Sequence, residues 1–213
     1  MLDFESLQKQ LGFYTWGVSK TPFQGFEYAI SLVFKLSDYV VENITEGPTY
    51  EYFHHYRTIN AAIDRAVYQI GVEIEREGYT YLPIAASQTV GGHASMRGLF
   101  SHKQAAARAG LGVIGRNALF IANGIGPKVR LGTIFTNMPF ENAKEETPKG
   151  CMGCGKCAAV CPSGAIYNVD FDPEHPEKDL LNRMVCSDYM KKAYQHIGRG
   201  SVCGICMANC PQK

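Results

Sequence analysis

The spacing of its cysteines is the feature that most constrains what this chain can fold into. The run from Cys151 to Pro162 has the spacing C-x2-C-x2-C-x3-C-P. Three thiolates spaced three residues apart on a glycine-rich loop can bind three corners of one [4Fe–4S] cluster, and the fourth cysteine of such a run binds a different cluster. The run therefore predicts an iron–sulfur domain that carries two clusters.

A shorter copy of the run lies close to the end of the chain. Cys203 to Pro211 has the spacing C-x2-C-x3-C-P and repeats the order of Cys154 to Pro162. The copy has no counterpart of Cys151, and Cys186 is the one cysteine left to complete its set. If the last cysteine of each run binds the cluster held mainly by the other run, the arrangement is crossed and the ligands of both clusters follow. One cluster is assigned to Cys151, Cys154, Cys157 and Cys210, and the other to Cys161, Cys186, Cys203 and Cys206.

Zinc knuckles and four disulfides are the alternative interpretations of the cysteines. Zinc sites use C-x2-C pairs, but they do not require a third cysteine at this spacing or the C-x3-C-P ending. No cysteine precedes Cys151, and a secreted, disulfide-bonded protein would have little reason to leave its larger part without one. The spacing therefore favours clusters over both alternatives.

Charge and hydropathy exclude several classes of function. Lys plus Arg number 21 against 20 for Asp plus Glu, so no basic excess suggests a nucleic-acid partner. The N-terminus lacks the basic start and apolar stretch of a signal peptide, and no apolar run approaches the roughly 18 residues of a membrane span. We expect a cytoplasmic protein without nucleic-acid or membrane partners.

The polar stretch 142–149 predicts a linker between two domains, 1–146 and 147–213. Apolar residues recur at helical spacing over 60–78, and a second, shorter helix is predicted over 101–109. Apolar and β-branched segments predict strands over 27–34, 80–85, 118–122 and 129–135. Strands and helices without strict alternation are typical of an α+β domain.

A glycine-rich motif lies between the second predicted helix and a strand. Gly110 to Gly115 reads G-x-G-x-x-G. The dinucleotide-binding version follows a strand, opens a helix and is followed about 20 residues later by an acidic residue. This copy follows a helix, runs into an apolar segment and lacks the acidic residue, which disfavours NAD. A loop of this kind can still bring its backbone against a flat or bulky ligand.

The segments 109–119 and 130–137, followed by the two cysteine runs, resemble epoxyqueuosine reductase and, more distantly, reductive dehalogenases. The resemblance is strongest over 95–213, and it identifies the chain as a short, divergent member of that family. In the family, a cobalamin-binding domain with a nitroreductase-like α/β core precedes a bacterial two-cluster ferredoxin-like domain. The clusters supply electrons to the corrinoid cobalt. The resemblance implies the same α+β arrangement here.

The resemblance also implies a cofactor site around the glycine loop. The cofactor is expected to be cobalamin or another corrinoid, and a nitroreductase-like core makes FMN the alternative. The expected cofactor-binding residues are Gly110, Leu111, Gly112, Ile114, Gly115, Arg116, Asn117, Arg130 and Gly132. At the loop tail, Arg116 stands where the family usually has lysine.

One expected group is missing. Epoxyqueuosine reductases place an acidic proton donor shortly before the helix that leads into this loop, whereas 91–103 contains no Asp or Glu. His93, Arg97 and His102 are the candidates for proton donation or for holding an anionic group. The alternative is a solvated polar loop.

Two functions remain open at this stage. The first is a redox enzyme in which two clusters deliver electrons to a bound corrinoid that reduces a small substrate. The second is a ferredoxin-type electron-transfer module that serves or reactivates another corrinoid or flavin enzyme. Either would take electrons from an external low-potential donor such as ferredoxin or flavodoxin.

Overall fold

The computed structural model describes residues 2–91, 96–176, 178–198 and 202–212. The helices of these residues are α1 (Phe4–Leu11), α2 (Asp38–Glu42), α3 (Tyr50–Arg76), α4 (His102–Arg108), α5 (Lys156–Ala159), α6 (Arg183–Gly198) and α7 (Ile205–Ala208). The strands are β1 (Thr15–Phe23), β2 (Phe26–Lys35), β3 (Tyr81–Ile84), β4 (Gly112–Ile114), β5 (Phe120–Ala122) and β6 (Val129–Thr136). None of these helices is long and apolar enough to cross a membrane.

Four of the strands form one sheet in the order β1-β2-β6-β3. β1 pairs with β2, and β3 pairs with β6, each antiparallel. β4 and β5 form a separate antiparallel pair in which Gly112 lies opposite Ala122. The four predicted strands are confirmed as β2, β3, β5 and β6. The mixed architecture confirms the predicted α+β class.

Helix α3 supplies the apolar layer that covers the four-stranded sheet. Ile63, Val67, Ile70 and Ile74 are almost fully buried and belong to one core cluster with side chains of β2 and β6. Their helical spacing confirms the predicted helix. The helix begins at Tyr50 rather than near residue 60, because Thr49 caps it with a hydrogen bond from the Tyr52 N–H to Thr49 Oγ1 (3.1 Å).

The contacts divide the chain into two compact units. The first comprises Met1–Lys35, Ile59–Leu111 and Arg130–Pro148, and the second comprises Leu36–Thr58, Gly112–Val129 and Lys149–Lys213. The boundary predicted from the sequence is a single one near residue 146. The difference concerns 36–58 and 112–129, which pack with the cysteine segment although they precede it in the chain.

Candidate iron–sulfur site

Four cysteines line one pocket of the second unit. They are Cys151, Cys154, Cys157 and Cys210, the first predicted ligand set. The pocket is open to solvent, and its empty volume, with that open part included, is about 310 Å³. Gly153 (φ 72°) and Gly155 (φ 73°) adopt the left-handed conformation that lets the cysteine loop curve around it. The pocket thus presents four thiols of the kind that hold a cluster.

The other four cysteines are neighbours of one another. Burial, followed by the nearby thiols of Cys203, Cys186 and Cys161, raises the pKa of the Cys206 thiol to about 12. Burial, followed by Cys203 and Cys161, raises the pKa of Cys186 to about 11. Cys157 of the first set is also a neighbour of Cys206, and α5 contacts α7, so the two sets adjoin. This grouping supports the crossed assignment.

The sequence repeat is also a structural repeat. Gly155 and Gly204, both with left-handed backbone, precede the short helices α5 and α7. Two residues after each helix, the N–H of a cysteine donates to the carbonyl three residues earlier, from Cys161 to Ala158 and from Cys210 to Met207, both at 3.2 Å. The short helical turn between Cys157 and Cys161 is therefore repeated between Cys206 and Cys210.

The Cys161 thiol accepts several hydrogen bonds. Burial raises the pKa of the Cys161 thiol, but hydrogen bonds from the Ser163 hydroxyl and from the N–H groups of Ala165, Ser163 and Ile166 together lower it. The Ser163 Oγ lies 3.3 Å from the Cys161 Sγ. Such bonds stabilise charge on sulfur, and in iron–sulfur proteins they tune the reduction potential. Cys161 is therefore well suited to bind iron as a thiolate.

The donor set fits iron–sulfur clusters. Each group offers four sulfur atoms, and Ile121 and Pro211 add apolar surface to the first pocket. Within the part of the chain that the structure describes, no three His, Cys, Asp or Glu side chains converge as they would around a single metal ion. A four-iron cluster spreads its thiolates around a body larger than one ion.

The glycines of the G-x-G-x-x-G loop pack against the chain itself. A side chain at Gly112 would collide with the carbonyl oxygen of Ile121 across the β4–β5 pair, and one at Gly115 would collide with the Asn117 amide. A side chain at Gly110 would meet Glu146. These glycines permit close packing of the backbone, and they do not open a cradle for a flat ligand.

The remaining expected cofactor residues divide between the two units. Gly132 lies in the first unit, where a side chain would come within 2.8 Å of Ile63 Cγ2, so it accommodates helix α3. Arg130 donates to Asn60 Oδ1 at 2.9 Å. The Leu111 side chain lies against Gly17 of β1, also in the first unit.

In the second unit, β4 is held to the cysteine segment. The Ile114 N–H donates to the carbonyl of Lys149 (2.9 Å), and the Cys151 N–H donates to the carbonyl of Ile114 (3.1 Å). Gly115, Arg116 and Asn117 line the pocket of the first cysteine set. The tail of the glycine loop is therefore part of the first cysteine site.

Asn117 contacts both cysteine sets. Its side chain is buried, with 3% exposed. The Nδ2 group donates to the carbonyl of Cys206 at 3.4 Å, and the Oδ1 atom accepts the N–H of Leu119 at 3.1 Å. Asn117 thus lines the first pocket and hydrogen-bonds to a residue of the second set.

The three proton-donor candidates have different surroundings. His93 lies outside the described residues, and Arg97 is exposed. The His102 Nδ1 atom lies 2.7 Å from Thr133 Oγ1 and its Nε2 atom 3.1 Å from the carbonyl oxygen of Ala85. Because a carbonyl only accepts, Nε2 donates to it and Nδ1 accepts from the hydroxyl. Burial lowers the pKa of His102, which favours this neutral form and a structural role. Its catalytic role stays a prediction.

Comparisons with known proteins agree with the cysteine site and the fold. Residues 150–213 match the family model of the 4Fe-4S double cluster binding domain. The tetrachloroethene reductive dehalogenase of Sulfurospirillum multivorans is 36% identical over 113 residues, which cover 50% of this chain and 22% of that protein. The epoxyqueuosine reductase of Listeria monocytogenes is 30% identical over 118 residues, 54% of this chain and 30% of that protein.

A solved structure extends the likeness over most of the chain. A reductive dehalogenase studied for B12-dependent dehalogenation matches with a TM-score of 0.73 and 19% identity, over 97% of this chain and 30% of that one. Identity this low indicates a shared fold. The chain spans less than a third of each of these three proteins.

Proposed function

This chain is an iron–sulfur redox protein related to the epoxyqueuosine reductases and the reductive dehalogenases, and we propose that its two [4Fe–4S] clusters deliver electrons to a bound corrinoid for reduction of a small substrate. The observation that carries the electron-transfer part is the grouping of eight thiols into two adjoining sets. Two adjoining clusters form a relay, whereas a purely structural role would need only one. The relatives supply the argument for the corrinoid.

The cysteines hold the clusters in the crossed arrangement, with Cys151, Cys154, Cys157 and Cys210 in the first set. Each cluster supplies one-electron chemistry, at a potential set by its charge, hydrogen bonds and exposure. Cys154 is exposed, and Met152 beside it is 67% exposed. We therefore place the entry of electrons at the first set. The donor is an external low-potential protein such as ferredoxin or flavodoxin.

The corrinoid proposal rests on relatives, one of which was studied for B12-dependent dehalogenation. Gly112, Gly115 and Gly132 lend this proposal no support of their own, because the space beside each of them is filled by the chain itself. None of the relatives supports FMN, the earlier alternative.

The close packing of the chain around these glycines favours a second candidate function. A ferredoxin-type module would pass electrons to a corrinoid or flavin held by another protein and would need no cradle of its own. The segment 91–103, where the resemblance to epoxyqueuosine reductases implies a proton donor, contains no Asp or Glu. Both candidates use the two clusters in the same way and differ in where the acceptor is bound.

Cobalamin retention separates the two candidates. The protein is reconstituted anaerobically with iron and sulfide, and its iron content is measured. Two four-iron clusters correspond to about eight iron atoms per chain. It is then mixed with cobalamin and passed through a desalting column. Stoichiometric retention with a base-off spectrum supports the bound corrinoid. Loss of cobalamin from protein that holds both clusters contradicts it and favours the electron-transfer module.

The residue for a binding variant must be chosen with care. Gly112 is unsuitable, because a side chain there would break the β4–β5 pair to which the cysteine segment is attached. Arg130 is better placed, since it is an expected cofactor contact in the first unit, away from the cysteines in sequence. If Arg130→Gln lowers cobalamin retention and leaves the iron content unchanged, Arg130 contacts the cofactor. Unchanged retention would remove it from the site.

A further inference from the structure

We propose that Arg116 raises the reduction potential of the cluster held by Cys151, Cys154, Cys157 and Cys210, and that Asp170 and Asn168 hold the arginine in position. The inference rests on the proposed function, specifically on the crossed ligand sets. It gives the tail of the glycine loop a role at the first cluster.

The guanidinium of Arg116 lies beside the first cysteine set. Arg116 lines the pocket together with the four cysteines of the first set. Its Nη2 atom lies 2.9 Å from the place where a side chain on Gly153 would begin, so it packs against the loop between Cys151 and Cys154. The thiols of Cys151 and Cys157 are electrostatic neighbours of the arginine. A positive charge therefore lies beside the first site.

Three hydrogen bonds orient the Arg116 side chain. Arg116 Nε donates to Asp170 Oδ1 (2.8 Å) and Nη2 donates to Asp170 Oδ2 (3.0 Å), a two-pronged ion pair. Nη1 donates to Asn168 Oδ1 at 3.1 Å. Only 19% of the Arg116 side chain is exposed. A long side chain that extended into solvent would normally be mobile, whereas this one is enclosed and hydrogen-bonded. The arrangement is that of a charge held in one place.

The two charges of the ion pair differ in their exposure to solvent. Asp170 is 64% exposed and is not among the residues that line the pocket. Its charge is therefore screened by solvent more strongly than that of the arginine. Seen from the first site, the ion pair presents its positive end.

The consequence for the cluster follows from charge. A four-iron cluster with four thiolates carries net negative charge, and it gains one further negative charge when the external donor gives it one electron. A fixed cation stabilises the reduced form more than the oxidised form, because the attraction grows with the charge. Arg116 thus makes the first cluster easier to reduce than it would be without the arginine.

The test is a redox titration of the reconstituted protein followed by electron paramagnetic resonance. Cys151→Ser and Cys186→Ser variants assign the two potentials to the two sets. Arg116→Gln is expected to shift the first potential downward and to leave the second unchanged. Arg116→Lys, which keeps the charge without the two-pronged pair, is expected to shift it less. An unchanged first potential in Arg116→Gln overturns the proposal.

Asp170→Asn separates an electrostatic role from a structural one. Removal of the negative charge is expected to shift the first potential upward, opposite to Arg116→Gln. If both variants shift it downward, the pair acts by holding the loop together, and the proposal is wrong. Should Arg116→Gln fail to bind the cluster, the direction of the shift in Asp170→Asn decides the question by the same rule.

A matched control is the ion pair of Lys178 and Asp172, which also lies in the second unit (3.0 Å) but outside the residues that line the pocket. Lys178→Gln removes a positive charge there and is expected to move neither potential. A downward shift of the first potential as large as that in Arg116→Gln would show an effect of net charge and would overturn the specific role of Arg116. Iron content of the wild-type protein tests the presence of the clusters separately.

Discussion

The two cysteine sets share one repeat of sequence and backbone but differ in their surroundings. In the first set, Cys154 is exposed and Arg116 lines the pocket. In the second, burial among other thiols raises the pKa of Cys206 to about 12. Cys161 accepts hydrogen bonds from a hydroxyl and three N–H groups, whereas its repeat counterpart Cys210 accepts one from the Gln212 N–H. The repeat therefore sets the ligand spacing, while flanking segments set the electrostatics of each site.

The largest expected effect tests whether the sets are crossed at all. The double variant Cys151→Ala/Cys210→Ala removes two ligands of one cluster, so about four iron atoms per chain should remain. Cys151→Ala/Cys161→Ala removes one ligand from each cluster, so both clusters should be lost or damaged. Iron analysis after anaerobic reconstitution measures the difference. If the two double variants exchange these results, Cys161 belongs to the first set and the crossed assignment is wrong.

The next effect concerns the attachment of the first set to β4. Gly112→Ala puts a methyl group against the backbone of Ile121, whereas Gly150→Ala meets Phe171 at 3.6 Å, an ordinary contact. We expect Gly112→Ala to lower the free energy of unfolding by about 2 kcal/mol or more relative to Gly150→Ala. Denaturant unfolding of the reconstituted proteins under anaerobic conditions measures it. Equal stabilities would show that the β4–β5 pair relaxes without cost.

Asn117 links the first pocket to the second set, so its replacement should affect both. Asn117→Ala removes the hydrogen bonds to Cys206 and Leu119 from a buried position, at an expected cost of about 1–3 kcal/mol. Both clusters should then be lost together, at a lower denaturant concentration than in the wild type. Loss of the two visible absorption signals at separate denaturant concentrations would contradict the link.

The smallest expected effect is the counterpart of the Arg116 test in the second set. Ser163→Ala removes the hydroxyl that lies 3.3 Å from the Cys161 Sγ and leaves the three N–H donors in place. The potential of the second cluster should therefore fall slightly, while that of the first stays unchanged. Redox titration followed by electron paramagnetic resonance measures both. A shift confined to the first cluster would show that Cys161 binds that cluster and would contradict the crossed assignment.

Local patterns predicted the elements whose stabilising contacts are themselves periodic. The core face of α3 was visible as Ile63, Val67, Ile70 and Ile74, and β2 and β6 were visible as apolar runs. β1 was missed because Gly17 and Pro22 weaken its strand signal, and Pro22 lies where the register with β2 shifts. The start of α3 was missed because residues 50–59 are mostly polar or aromatic and lack an apolar stripe.

The glycine loop shows what a sequence motif leaves open. A G-x-G-x-x-G pattern indicates positions where backbone must come close to something, but the pattern does not say to what. Here Gly112 faces its partner strand β5, and Gly132, expected at the same cofactor, faces helix α3. Asp170 and Asn168, which hold Arg116, carried no signal, since they are separated from it by more than fifty residues in the chain.

The number of thiols and their spacing could be read from the chain alone, and with them the prediction of two clusters. That was possible because three ligands of a cluster come from one short loop, whose length limits how far apart the thiols can lie. Only the tertiary structure decided what surrounds each set. The bonds from Arg116 to Asp170 and from Asn117 to Cys206 join residues distant along the chain. Such contacts depend on how the segments fold back on one another, and no local periodicity encodes them.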